Sequence, residues 1–213
     1  IQLILQQTYY KKQLVLLGGG HAHVQVLRKL CMNFYEGLHV ILINNSLESA
    51  YSGMTPAYIQ DYYKIKEIMI DLQRLCFNAG VTFINDEVIQ LKTEEKKVIL
   101  KNRPSIHYDL LSINTGCISK KNNIKIHENS KNIYIKPINN LIKNLNALDE
   151  IIKNTNKTKI SIIGGGVAAF EISFALRQRF QNKSSITIIS KNILLEKNLN
   201  TKTINELKKI AEN

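Results

Sequence analysis

Short apolar runs alternate with stretches of helical spacing along the chain, and two glycine clusters sit at equivalent joints between them. The first run, over 14–17, stops at Gly18-Gly19-Gly20. After it Val24, Leu27, Leu30 and Cys31 recur at helical spacing, and a run over 39–43, rich in Val and Ile, reads as a buried strand. Strand, glycine turn, helix and strand make a βαβ unit. Residues 49–63 are irregular, with Gly53 and Pro56. A helix is expected over 67–78, ended by Ala79-Gly80, and a third strand over 81–84. Two short strands over 88–91 and 97–100 flank a charged turn, and a further strand over 108–114 ends at Thr115-Gly116.

Residues 119–132 are polar, rich in Lys and Asn and without period, so they read as a boundary. Beyond them Ile138, Leu141, Ile142, Leu145, Leu148, Ile151 and Ile152 form one helix face. A run over 159–163 then meets Gly164-Gly165-Gly166, followed by a helix through Phe180, a strand over 186–190 and a final helix from about Thr203. The stretch LVLLGGGHAHVQVLRKL from Leu14 aligns with ISIIGGGVAAFEISFAL from Ile160, an offset of 146 residues. The repeat predicts an α/β protein with two Rossmann-like dinucleotide-binding units.

The glycines have a mechanical reading. In G-x-G-x-x-G the first glycine makes the strand-to-helix turn, and the second lets the backbone approach a pyrophosphate on the helix N-terminus. Gly18 and Gly20 take these places in the first copy, Gly164 and Gly166 in the second. At Gly20 any Cβ is expected to clash with the phosphates. The third position is His23 in one copy and Ala169 in the other. A side chain as large as His23 is expected to push the helix off the strand or to turn outward. The ribose position falls at Asn44 and at Ser190, each 26 residues after its first glycine. Neither is the usual acid, yet both can hydrogen-bond a hydroxyl.

Composition narrows the partners. With 44% hydrophobic and 22% charged residues, the 213-residue chain is neither disordered nor a disulfide scaffold. No apolar run approaches the roughly 18 residues of a membrane span. The net charge of +12 is uneven: residues 1–115 hold 12 Lys and Arg against 10 Asp and Glu, residues 116–213 hold 17 against 7. The basic residues are mostly Lys scattered among Ile and Asn, with no basic run interleaved with aromatics, so no nucleic-acid partner is expected. Cys31, Cys76 and Cys117 lie too far apart for a metal or dithiol motif, which indicates a reducing, cytoplasmic setting. His21 and His23 lack ligand partners at metal spacing, so no metal is expected there. The chain begins at Ile1 rather than Met, and its last helical pattern runs to Asn213 without a cap, so an N-terminal fragment is expected.

GGGHAHV at Gly18, YSGMTPAYI at Tyr51, IDLQRLCFNAGVTFI at Ile70, YDLLSINTG at Tyr108 and GGGVAAFE at Gly164 resemble the FAD-dependent pyridine nucleotide-disulfide oxidoreductases. The nearest branch looks like the NADH dehydrogenase-like flavoproteins, including the module associated with selenide, water dikinase. The resemblance implies three-layer (ββα) units with the second incomplete: an FAD-binding domain over 1–117 and a truncated NAD(P)-binding domain over 118–213. It places the diphosphate on the amides of Gly20, His21, Ala22 and His23, the adenosine ribose near Asn44, and the adenine at the backbone of Val88. Thr115-Gly116 resembles the family's "ATG" turn beside the cofactor. Ser52 falls in the loop that lines the isoalloxazine. In the second unit Ala169 sits in the fingerprint, Glu171 matches an acid one turn into the helix, and Ser190 sits at the ribose.

The implied activity is hydride transfer from NAD(P)H to FAD and on to a small-molecule acceptor such as a quinone. The loop that carries a C-x-x-x-x-C pair in the disulfide reductases has no cysteine here, so electrons are expected to leave the flavin directly. A competing expectation is a non-catalytic FAD/NAD(P)-binding module, fused to or docked on a selenophosphate synthetase-like enzyme. A third is a peripheral membrane quinone reductase, anchored through a C-terminal part beyond Asn213. No side chain is assigned as catalytic, because the cofactors carry the chemistry.

Overall fold

The structure, a computed structural model, describes residues 10–119, 125, 127–128, 130–155, 157–191 and 199–212. They form two compact units. One comprises the residues up to Tyr51 together with Met69–Ile118, the other Ser52–Ile68 together with the residues from Ser119 onward.

In the first unit β1 (Lys12–Leu17) leads through the glycine turn into α1 (His21–Met32), then β2 (Leu38–Asn44) and β3 (Glu48–Ala50). The chain enters the second unit as a 3-10 turn at Ser52–Met54, α2 (Thr55–Ile59) and α3 (Ile65–Ile68). It re-enters the first as β4 (Met69–Asp71), α4 (Leu72–Asn78), β5 (Thr82–Asn85), β6 (Val88–Lys92), β7 (Lys97–Leu100), β8 (Ile106–His107) and β9 (Leu110–Ile113). Strands β5-β2-β1-β9 make a parallel sheet in that order, with Val15 beside Ile41 and Leu17 beside both Ile43 and Ile113.

Both faces of this sheet are covered, which is why its strands read as unbroken apolar runs. Leu16, Val40 and Leu42 point to one side, against Val24 and Leu27 of α1 and Leu72 and Cys76 of α4. Val15, Leu17, Ile41 and Ile43 point to the other, against Val98 and Leu100 of the antiparallel β6-β7-β8 sheet. Sheet, sheet and helices form the three layers.

The helix expected over 67–78 is three elements. Residues Met69–Asp71 pair antiparallel with Glu48–Ala50, and Asp71 then starts α4 by accepting the Arg74 amide at 2.8 Å. An Asx cap breaks the helical register that the apolar spacing suggested. The stretch expected to be irregular, 49–63, contains the end of β3 and all of α2.

The second unit continues with α5 (Ile138–Lys153), β10 (Thr158–Ile163), α6 (Val167–Phe180), β11 (Ser184–Ile189) and α7 (Thr201–Glu212). Strands β10 and β11 are parallel, with Ile160 beside Ile186 and Ile162 beside Ile188. The core joins Leu141, Leu145 and Ile152 of α5 to Ile172, Ala175 and Leu176 of α6. Ile59 of α2 is fully buried in this same core. Arg179 of α6 grips Asp149 of α5 through Nε and Nη2 at 2.7 and 2.6 Å, and its Nη1 donates to the Ile59 carbonyl at 2.8 Å. These contacts explain why 52–68 packs with the second unit, where the sequence suggested an uninterrupted division at 117/118. The expected boundary over 119–132 lies partly outside the described residues.

Candidate functional site

The first glycine turn is shaped by the end of β9. Gly18 has φ +91°, and its amide donates to the Ile43 carbonyl at 2.8 Å. A Cβ there would lie 2.6 Å from the Asn114 carbonyl oxygen and the Thr115 Cα. A Cβ on Gly20 would meet the Asn114 carbonyl oxygen at 2.5 Å and overlap the Asn114 carboxamide. Glycine is therefore required at Gly20 by the protein's own strand end, beside the phosphate clash expected from the sequence.

Besides Gly18, three further amides of the turn are already engaged. Gly19 donates to Asn44 Oδ1 at 2.9 Å, Gly20 to the Asn114 carbonyl at 3.1 Å and Ala22 to Asn114 Oδ1 at 3.1 Å. Among the described residues the amides of His21 and His23 have no acceptor. Asn44 also donates from Nδ2 to the Ser46 carbonyl at 2.7 Å, so both ends of its carboxamide brace the loop.

His23 neither displaces α1 nor turns outward. It is 2% exposed, with Nδ1 2.6 Å from the Gly18 carbonyl oxygen and Nε2 2.8 Å from the Ser112 hydroxyl. A carbonyl only accepts, so Nδ1 carries the hydrogen and Nε2 accepts from Ser112. The small Ser112 on β9 leaves room for the ring. Burial lowers the His23 pKa below its ordinary value and outweighs the opposing effect of the Gly18 bond. His21 is exposed, and its ring lies 4.2 Å from that of Tyr51.

A cleft of about 590 Å³ opens beside the turn, lined among others by Gly18, Asn44, Glu87, Val88 and Thr115. It brings four of the expected residues together: Gly18, Asn44, Val88 and Thr115. Asp86 lies in its wall and is buried. Its carboxylate accepts from the Glu87 amide at 2.7 Å and from the Asn102 amide and side chain at 3.1 and 2.9 Å. Burial pushes this carboxyl up, but those bonds, with Arg103 nearby, prevail and hold it below its ordinary value. Asp86 thereby ties the start of β6 to the chain after β7. Gly116, at φ +76°, has open space around its Cβ position. Ser52 is exposed and begins the 3-10 turn in the second unit.

The second turn repeats the backbone plan in more open surroundings. Gly164 has φ +145° and donates to the Ile189 carbonyl at 2.9 Å. Among the described residues a Cβ on Gly164 would touch only the Ala169 methyl at 3.9 Å, and one on Gly166 nothing within 4 Å. Ala169 is buried, and its amide donates to the Gly166 carbonyl at 3.0 Å. Glu171 is exposed, and Ser190 follows β11 half-buried.

Asn114, Ser112, Asp86 and Asn102 escaped the sequence reading. Only Asn114 carried a signal: it precedes Thr115-Gly116, where the family turn has Ala. Cys76 is buried, and burial, aided by Cys31, pushes its thiol up to about 12. Cys31 and Cys117 are exposed. Among the described residues no group of three His, Cys, Asp or Glu could hold a metal, and no helix is long and apolar enough to cross a membrane.

Comparison with solved structures supports the fold. The sulfide:quinone oxidoreductase of Aquifex aeolicus is similar at 21% identity and TM-score 0.66, over 84% of this chain and 43% of that one. NDH2 of Plasmodium falciparum, solved in complex with NADH, is similar at 17% identity and TM-score 0.75, over 95% and 46%. NADH:rubredoxin oxidoreductase of Clostridium acetobutylicum is similar at 22% identity and TM-score 0.68, over 94% and 50%. The chain thus spans half or less of the length of these relatives. No curated protein matches it. The family described as pyridine nucleotide-disulphide oxidoreductase matches residues 12–213. With its paired glycine turns and three-layer first unit, the chain belongs to that family.

Proposed function

We propose that the chain is the dinucleotide-binding part of a flavoprotein oxidoreductase that takes hydride from NAD(P)H and passes electrons to a small-molecule acceptor such as a quinone. The observation that carries this is the cleft in the first unit, where Gly18, Asn44, Val88 and Thr115 converge beside the turn into α1. Its size suits part of a dinucleotide. The acceptor-free amides of His21 and His23 at the positive end of α1 suit a diphosphate. When bound, FAD supplies two-electron acceptance, which no side chain here provides. The chain's residues bind and orient: Val88 offers backbone to the adenine, and Asn44 holds the loop by which the ribose sits.

In the second unit Gly164, Gly166, Ala169, Glu171 and Ser190 form the proposed NAD(P)H site, and the open space at Gly166 favours close approach of a ligand. Residues 45–56 contain no cysteine, which supports electron exit without a redox disulfide. GGGHAHV and YSGM support the NADH dehydrogenase-like branch associated with selenide, water dikinase. The proposed setting is cytoplasmic, with contact at the inner membrane face to be tested by flotation on vesicles.

The test is colour. Purified full-length protein should be yellow and should bleach on anaerobic addition of NADH or NADPH. Reoxidation by quinones, ferricyanide, dioxygen or sulfur and selenium compounds then identifies the acceptor. A yellow protein that neither nucleotide bleaches is a binding module, and a colourless one that takes up no FAD overturns the proposal.

A further inference from the structure

We infer that Asn114 sets the affinity of the first unit for its dinucleotide, by holding an amide that a phosphate oxygen would otherwise take. The inference rests on the dinucleotide reading above.

The Asn114 backbone is committed to the turn: its amide donates to the Leu17 carbonyl at 2.8 Å and its carbonyl accepts from Gly20 at 3.1 Å. With the backbone so held, the carboxamide lies over the turn, where a Cβ on Gly20 would overlap it. Its Oδ1 accepts from the Ala22 amide at 3.1 Å, across 92 residues of sequence. Ala22 is the second residue of α1, among the first-turn amides that have no acceptor within a helix. The local N-cap, Gly20, has no side chain, so Asn114 supplies the cap from β9's end.

One N–H serves one strong acceptor. The carboxamide oxygen and a phosphate oxygen compete for the Ala22 donor, and what stabilises the capped helix opposes the ligand. A phosphate can take the amides of His21 and His23 with Asn114 in place. To take Ala22 as well, it must turn the carboxamide away. Among the described residues the second turn has no such device: helix α6 also starts at a glycine N-cap, with no side-chain cap, and none of them lies within 4 Å of a Cβ on Gly166.

Stability and affinity should therefore move in opposite directions in two variants. Both are measured by thermal midpoint without added nucleotide and by FAD titration of flavin-free protein. Asn114→Ala should lower the midpoint and tighten FAD binding about three- to tenfold, the scale of one capping hydrogen bond. Asn114→Asp keeps the shape and the acceptor. It should raise the midpoint, because a carboxylate favours the helix N-terminus, and weaken FAD binding about tenfold or more by repelling the diphosphate. The ratio of its Kd to the wild-type value should shrink with added salt. Unchanged or weaker FAD binding by Asn114→Ala, or wild-type affinity in Asn114→Asp, would overturn the inference while leaving the dinucleotide reading intact. Wild-type protein that binds no FAD defeats that reading, and the inference with it.

Discussion

His23 Nδ1 lies 2.6 Å from the carbonyl oxygen of Gly18, so the third fingerprint position braces the first. The ring is buried between the turn and the sheet. Its other nitrogen, 2.8 Å from the Ser112 hydroxyl, ties the turn to β9.

Acid should loosen this brace. Burial places the folded His23 pKa below the ordinary 6.5. As pH falls below 6.5, the unfolded chain takes up the proton before the folded one does. The stability held by the neutral ring is complete above that value and is lost as pH falls through the lower folded one. His39, also lowered by burial, adds to the slope. His23→Gln should flatten the fall of unfolding free energy between about pH 7 and pH 5. His23→Ala should cost about 2–4 kcal/mol at neutral pH, from lost volume and two unpaired partners. Denaturant titrations across that range measure both, and an unchanged slope in His23→Gln would show that the ring does not carry the effect.

The two second-glycine positions should respond differently to one methyl group. Gly20→Ala drives a Cβ into the Asn114 carbonyl, so the first unit should lose stability as well as flavin. Gly166→Ala meets none of the described residues within 4 Å, at an ordinary φ of −90°. Its thermal midpoint should stay within about 1 °C of wild type, since surface changes of this kind cost little, while NADH binding weakens. Equal loss of midpoint in the two variants would contradict the difference in crowding.

Arg179 and Asp149 should prove coupled. Their side chains are 19% and 20% exposed, and the same guanidinium holds the Ile59 carbonyl. A double-mutant cycle with Arg179→Met and Asp149→Ala should return a coupling of about 1–3 kcal/mol. Limited proteolysis near α2 should accelerate in Arg179→Met, because that variant also releases Ile59. A coupling near zero would reduce the pair to a surface contact.

The coenzyme preference should follow from Ser190 and Lys191. Ser190, at the proposed ribose position, carries no charge, and the neighbouring Lys191 is exposed. A preference for NADH over NADPH should therefore be weak or inverted. Ser190→Asp should shift the ratio of kcat/KM values toward NADH about tenfold or more. A strong NADH preference that persists in Ser190→Ala and Lys191→Ala would place the discrimination elsewhere.

Much of the architecture was legible locally. Apolar runs beside glycine clusters marked β1 and β10, and helical spacing marked α1, α5 and α6. The 146-residue offset exposed the repeat, with Asn44 and Ser190, the expected ribose positions, at equal distances. These signals are legible because strand, turn and helix preferences arise between residues close in sequence. The reading failed where a cap interrupted a periodic stretch, as at Asp71, and where an irregular stretch packed elsewhere, as at Ile59.

The chain's sequence by itself determined the two βαβ units, their glycine turns and the family. Only the tertiary structure decided what stands over each turn. Gly20 and Gly166 are equivalent in sequence, yet one is crowded by Asn114 and the other has no neighbour within 4 Å of its Cβ position among the described residues. His23 looked like an obstacle and is a brace, because Ser112 lies 89 residues away on the facing strand. Asp86 meets Asn102 across 16 residues, and Arg179 meets Ile59 across 120. The physical reason is the same each time. A hydrogen-bond partner is set by which surfaces pack together, and the packing of distant segments has no period that a single strand or helix can display.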